Sequence, residues 1–316
     1  MLCTLESRRL FSFFALHPLA AVDSADWLTP LLVATAPTTQ VPASPNLIEQ
    51  LFQAFVLGIV QGITEFLPIS STAHLLIFRD VFGWQQQKYF VDAIQFGSVI
   101  AVVWYFWADI RQILVGAWQA FQQKNWQQEE WKIFVGIAIG TIPALFFGFI
   151  FKDLIPESPL IIALASIVMA LLLGLAERIG TRKRDFNSLE IKDGFLVGLG
   201  QTLALVPGVS RSGSTLTTAL FLGLQRQTAA RFSFLLGIPT LTIATLYQST
   251  KALRSIESFL PLLIGIISTF IFSYLSIAWL LKFLQRRSTW VFVWYRLAFG
   301  SMILGALAAG WRPVGG

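Results

Sequence analysis

Charge and sulfur are what this sequence has least of. Of its 316 residues, 13% are Asp, Glu, Lys or Arg, about half of the roughly 25% found in an ordinary soluble domain. So few charges cannot cover the surface of a water-soluble fold of this size, and a chain this apolar does not stay disordered. The single cysteine, Cys3, excludes an intramolecular disulfide. His17 and His74 are the only histidines, so a Cys/His zinc site is excluded as well. Any metal must then be a hard ion held by oxygen, Mg²⁺ or Ca²⁺.

What the chain has in abundance is apolar length. Residues of the AVILMFWYC set make up 55%, and the mean hydropathy is +0.67. The expected class is an all-α polytopic membrane protein. Six stretches, about 90–107, 131–151, 159–177, 230–247, 259–284 and 292–312, are long enough to cross roughly 30 Å of hydrocarbon. Residues 109–130 mix Trp, Gln and charges and read as an interfacial amphipathic segment. The net charge of +6 comes from short loops between apolar runs and does not point to nucleic acid. Residues 1–47 stand apart, with Arg8-Arg9, an interrupted apolar run and a late Ala34-Thr35-Ala36. They read as a cleaved signal, a loosely structured extension, or the result of a start codon set too far upstream.

Two segments do not fit a simple crossing. Residues 48–80 break at Pro68 and continue Ser70-Ser71-Thr72; residues 194–224 break at Pro207-Gly208 and continue Ser210-Arg211-Ser212. Each half looks too short to span alone. Irregular backbone at membrane depth is tolerated only inside protein or a wet cavity, so both are expected to be re-entrant hairpins with tips meeting inside the bundle. They also match each other: Leu67-Pro68-Ile69-Ser70-Ser71 and Val206-Pro207-Gly208-Val209-Ser210 superpose at an offset of 139, and Gly97 and Gly237 at 140. The expected organisation is a first repeat over 48–180 and a second over 190–314. Each holds one hairpin and three crossings, and three is odd, so the second is inverted. Placing the chain before residue 90 outside puts 14 of the 23 Lys and Arg inside, Arg296 among them, and 6 outside, as the positive-inside bias requires.

Ionisable groups in apolar segments are functional candidates by default. Gln61 and Glu65, at i and i+4, share a helix face and suit a hard cation or a phosphate's proton; a polar pair bridging helices is the plainer alternative. Ser71 and His74, at i and i+3, make a nucleophile-plus-base pairing, although Ser70 or Ser71 could simply cap a helix. Thr72 completes the hydroxyl-rich first tip. In the second, small hydroxyl residues open a helix with unpaired N–H groups, an anion site, and Arg211 adds a fork matched to phosphate oxygens. Together the tips carry a kit for phosphoryl transfer on a lipid-linked phosphate ester. A carrier or flippase of a phosphorylated lipid or small anion is the rival class; it would need Arg211 but no nucleophile.

The run from Gln61-Gly62-Ile63-Thr64-Glu65 through Pro68-Ile69-Ser70-Ser71-Thr72-Ala73-His74, and Pro207-Gly208-Val209-Ser210-Arg211-Ser212-Gly213-Ser214-Thr215, resemble the two signatures of the bacitracin-resistance type undecaprenyl-diphosphatases. The resemblance covers about residues 48–312. It implies a plasma-membrane enzyme, open to the outer (periplasmic) face, that hydrolyses undecaprenyl diphosphate with a divalent cation. By position it implies Glu65 and Gln61 for metal or proton and Ser71 and His74 for attack. Arg211 with Ser210, Ser212 and Thr215 would hold the diphosphate, and Gln61, Ser70 and Thr72 would make further substrate contacts. Gln61 stands where many members have Glu, which puts a two-carboxylate metal site in doubt; Ala73 stands where Gly is common. Expected partners are the lipid substrate, surrounding membrane lipids and, as one option, a second copy of the chain.

Overall fold

A computed structural model describes residues 46–84, 88–151, 156–252 and 259–311. The N-terminal segment read above as signal or extension lies outside the described residues up to position 45, as do Cys3, His17, Lys152, Arg254 and Arg312. Everything described is helix and connection, apart from one isolated bridge, Arg184 to Leu224.

The chain opens with α1 (Leu47–Phe66), started by Asn46, whose side chain accepts the Glu49 N–H at 2.9 Å. Pro68 ends it by removing a donor and restricting the residue before it. After the break come α2 (Ser71–Phe82) and α3 (Lys88–Tyr105). The chain then turns by 63° at Phe106 into α4 (Trp107–Gln123). Next are α5 (Glu129–Phe151) and α6 (Pro159–Ile179). The second broken segment is α7 (Ile191–Thr202), a short 3₁₀ turn at Leu203–Leu205, then α8 (Arg211–Phe221). Three long helices close the chain: α9 (Arg226–Ala252), α10 (Phe259–Arg286) and α11 (Trp290–Ala308).

Six helices are long and apolar enough to cross a membrane: α1, α5, α6, α9, α10 and α11. The number matches the expectation, but the membership differs. At 20 residues, α1 is long enough to cross, about 30 Å at 1.5 Å per residue. The expectation that each half of the first broken segment is too short to span is therefore wrong for α1. The 90–107 stretch, in turn, falls in α3, which qualifies as a crossing only together with α4, and the two are bent by 63°. The expectation for 109–130 is met in its amphipathicity: α4 buries Ile113, Gly116, Ala117 and Ala120 on one side and exposes Trp118 and Phe121 on the other.

Burial follows membrane logic. On α6, Ile162, Ala163, Ser166, Ala170 and Leu173 are buried, while Leu164, Val168, Leu171 and Leu175 are exposed in a row. A water-soluble fold would not leave such a row bare, whereas lipid tails solvate it. Small residues then let backbones approach. A Cβ on Gly198 of α7 would overlap the backbone of Gly140 on α5, and one on Gly62 of α1 would sit 2.8 Å from the Thr269 carbonyl of α10. The packing pairs form a pattern: α1 and α3 lie on α10, α7 and α9 lie on α5, α3 meets α9, and α6 meets α11. The tips are thus held from both sides by long helices. At the end of the bundle where α6 meets α9, Glu177 is buried and accepts from Arg226 and the Thr289 hydroxyl. Nearby, Arg184 pairs with Asp193 at 2.6 Å, and this bond holds its guanidinium above its ordinary pKa.

Candidate active site

Two backbone reversals build the site. Ser70, just before α2, has φ 75° and ψ 102°; Ser210, just before α8, has φ 73° and ψ 120°. Non-glycine residues avoid this region, at a cost of order 1–3 kcal/mol each. Both strained serines sit at the entry to a helix directly after a break, 140 positions apart.

The tips meet through charge. Arg211, first residue of α8, donates from Nη2 to Glu65 Oε1 at 3.1 Å, across 146 residues of sequence. Glu65 Oε2 accepts from Ser71 Oγ at 2.7 Å and from Gln61 Nε2 at 3.0 Å. Glu65 is buried and Arg211 nearly so, so the pair lies in a medium where charge interactions run stronger than in water. Gly237 of α9 makes room for the guanidinium: a Cβ there would overlap Arg211 Nη1.

The remaining expected residues are placed as follows. Ser212 Oγ lies at hydrogen-bonding distance from the Leu67 and Glu65 carbonyls, 3.1 and 3.3 Å, so it caps the end of α1. Ser210 Oγ accepts the Gly213 N–H at 3.1 Å, an N-cap for α8. Thr215 returns its hydroxyl to the Arg211 carbonyl at 2.9 Å. Ser70 makes no corresponding cap to α2, and Thr72 is exposed. Ala73, where the signature often has Gly, is fully buried among Ile162, Ala163, Phe299 and Ile303.

His74 does not face Ser71. Its Nδ1 is 2.8 Å from the Ser70 carbonyl, its Nε2 is 2.6 Å from the Tyr295 hydroxyl, and its ring stacks on Phe299 at 4.4 Å. The i, i+3 spacing puts the two side chains on one face, as expected, but both ring nitrogens are occupied elsewhere. The Ser71 hydroxyl is turned to Glu65 instead.

Two residues of the site were missed, Tyr295 beside His74 and Arg296. Arg296, counted from sequence among the cations at the inner edge, is 1% exposed and lies between the tips. Its Nη1 donates to the Pro68 carbonyl at 3.0 Å, its Nη2 to the Gly208 carbonyl at 2.8 Å and its Nε to the Ser166 carbonyl at 3.2 Å. It therefore ties the first break, the second break and α6 together. The signal was present: a lone arginine inside an apolar stretch falls under the same default as Arg211.

No cluster of three or more His, Cys, Asp or Glu suited to a metal occurs among the described residues. The donors around Glu65 are one carboxylate, an amide and hydroxyls. Gln61 turns its amide nitrogen to the carboxylate, so the oxygen donors at hand are few and suit a hard cation that keeps its waters and the oxygens of a bound phosphate, rather than a cation caged by protein.

With this geometry established, comparison with known proteins gives a consistent result. The family model for bacitracin resistance protein BacA matches residues 54–302. The chain is 60% identical over 262 residues to a protein named undecaprenyl-diphosphatase from Thermosynechococcus vestitus, covering 82% of this chain and 96% of that one. Proteins of the same name from Trichormus variabilis and Synechocystis sp. are each 52% identical, over 297 and 292 residues. These cover 89% of this chain and 93% and 89% of the respective relatives. With both broken-helix motifs inside the matched region, the chain belongs to the bacitracin resistance protein BacA family.

Proposed function

We propose that this protein hydrolyses undecaprenyl diphosphate to undecaprenyl phosphate and inorganic phosphate at the outer face of the plasma membrane, returning a carrier lipid to cell-wall synthesis. The observation that carries this reading is the Glu65 carboxylate held between Arg211 of the other tip and the hydroxyl of Ser71. The names of the relatives support the substrate.

The chemistry follows from the contacts. An incoming diphosphate replaces Glu65 as the partner of Arg211, whose fork matches its oxygens. Ser71 Oγ attacks the terminal phosphorus while its proton passes to Glu65 Oε2. The anhydride P–O bond breaks, and undecaprenyl phosphate leaves with that proton. Water then attacks the phosphoserine, Glu65 takes a proton from it, and Ser71 regains its hydroxyl as phosphate departs. The geometry supports Glu65 over His74 as the acceptor of the Ser71 proton. Arg211 and the first turn of α8 stabilise charge on the equatorial oxygens. A Mg²⁺ or Ca²⁺ carried by the diphosphate would be held by Glu65 and, once its amide gives up the Nε2 contact to that carboxylate, by Gln61, and would neutralise phosphate charge.

The same reading takes 48–180 and 190–314 as inverted repeats. The matched strained serines and the exchange of packing partners support it, α1 on α10 against α7 on α5.

The test is phosphate release from undecaprenyl diphosphate by detergent-purified protein, with and without EDTA. Wild type is expected to release phosphate without a sealed compartment, which a carrier would not do. Arg211→Ala is expected to lose about 10³-fold in kcat/KM, in the range of a lost charge-stabilising donor. Ser71→Ala is expected to lose as much in kcat. Full activity in Ser71→Ala would remove the covalent route and leave Glu65 acting on water.

A further inference from the structure

His74 is left without a step in this mechanism, and its surroundings say what it does. The Ser70 carbonyl can only accept, so the contact at 2.8 Å places a proton on Nδ1. In the neutral ring Nε2 then carries the lone pair and accepts from the Tyr295 hydroxyl at 2.6 Å. Tyr295 and Phe299, one turn apart on α11, stack with the ring at 5.6 and 4.4 Å, within 15° of parallel. The ring is thus held in plane by two aromatics and in rotation by two hydrogen bonds.

The Ser70 carbonyl belongs to the strained residue next to Ser71. It accepts twice from His74, from Nδ1 and from the backbone N–H at 3.3 Å. In the other tip, the Ser210 carbonyl accepts the Ser214 N–H at 2.9 Å, and the residue in the place of His74 is a serine bonded elsewhere. Side-chain bracing of the carbonyl is therefore special to the tip that bears the hydroxyl.

We propose that Tyr295 is a positioning residue for this reaction: by donating to Nε2 it joins the Ser70 carbonyl in holding His74 as its Nδ1–H tautomer, which braces that carbonyl and keeps the Ser71 hydroxyl on Glu65. The proposal rests on the active-site reading above. Tyr295 is 43% exposed, so Tyr295→Phe removes one oxygen from a half-open position and keeps the stacked ring.

The tautomer is read directly by nitrogen NMR of the histidine rings in detergent-solubilised protein, with His74 assigned by its loss in His74→Gln. Wild type is expected to show the Nδ1–H form and Tyr295→Phe a mixture. In phosphate-release assays Tyr295→Phe is expected to lose about tenfold in kcat, the worth of one hydrogen bond, with KM within about twofold. Combined with His74→Gln it should lose nothing beyond His74→Gln alone. An Nε2–H tautomer in wild type overturns the proposal, and needs no variant to fold. So does an unchanged kcat, or a lowered kcat with an unchanged tautomer. Activity retained in Arg211→Ala would instead sink the active-site reading, whatever the tautomer shows.

Discussion

The α1–α2 tip and the α7–α8 tip turn through nearly the same backbone and carry opposite chemistry. Ser70 and Ser210 share positive φ within 2°, 75° against 73°. Around the first stand Glu65, Ser71 and His74; around the second stand Arg211 and a row of hydroxyls. The hydroxyls differ in use as well. Those of the second tip are spent on structure, with Ser210 capping α8 and Ser212 capping α1. On the first tip Ser71 points at the carboxylate and Ser70 caps nothing. One tip is a cationic platform whose hydroxyls are tied to backbone, and the other holds a hydroxyl against its carboxylate. A shared backbone device thus leaves side chains to divide the labour, and a strained turn on each side brings the halves of the charge pair together.

The comparison breaks first where the platform meets α9. Gly237 gives Arg211 a surface to lie against without displacement, since any Cβ there overlaps Nη1. Gly237→Val is expected to push the guanidinium off Glu65 and off an incoming phosphate. A charge-assisted contact is worth about 1.5–3 kcal/mol, so kcat/KM should fall about 100-fold. Gly237→Ala should fall less, because an arginine side chain can shift. Equal, near-wild-type activity of both variants would show that Arg211 does not need its present position.

Arg296 is what makes the two tips one site. It bonds to a carbonyl in each break and to a third on α6. Arg296→Gln leaves at least two buried carbonyls without donors, at about 1–3 kcal/mol each before relaxation. The expected result is a loss of about 2 kcal/mol in stability, seen as a lower thermal midpoint in detergent. Arg296→Lys should restore the charge but not the three-way reach. If Arg296→Gln melts with wild type, the tips are held by helix packing alone.

This residue also shows where sequence reading stops. Hydropathy located the breaks, and helical spacing put Gln61 with Glu65, so the charge centre was legible before any coordinates. The crossing count came out right while α1 and the 90–107 stretch exchanged places, because apolar length was judged without knowing that the chain bends at Phe106. Arg296 and Tyr295 escaped for a different reason. Hydropathy gives depth along a span, but not the neighbour a side chain faces, and their partners are 228 and 221 positions away. The Ser71–His74 pairing failed as geometry because i, i+3 spacing shares a face without fixing rotamers, and a nearer carbonyl took the imidazole.

The finest difference between the tips is in the capping serines, and it sharpens the comparison most cheaply. Ser210 Oγ takes the Gly213 N–H, so Ser210→Ala should cost about 1 kcal/mol, the usual worth of an N-cap. Ser70 makes no cap bond, so Ser70→Ala should cost only a few tenths. Glycine separates the two causes, since it relieves positive φ at both positions and removes a cap at only one. Ser70→Gly should therefore be neutral or stabilising, while Ser210→Gly should fall between wild type and Ser210→Ala. The order of four thermal midpoints tests this. If Ser70→Ala and Ser210→Ala lose the same amount, the Ser70 hydroxyl supports the fold no less than the Ser210 hydroxyl does, and the division of labour between the tips begins only at Ser71.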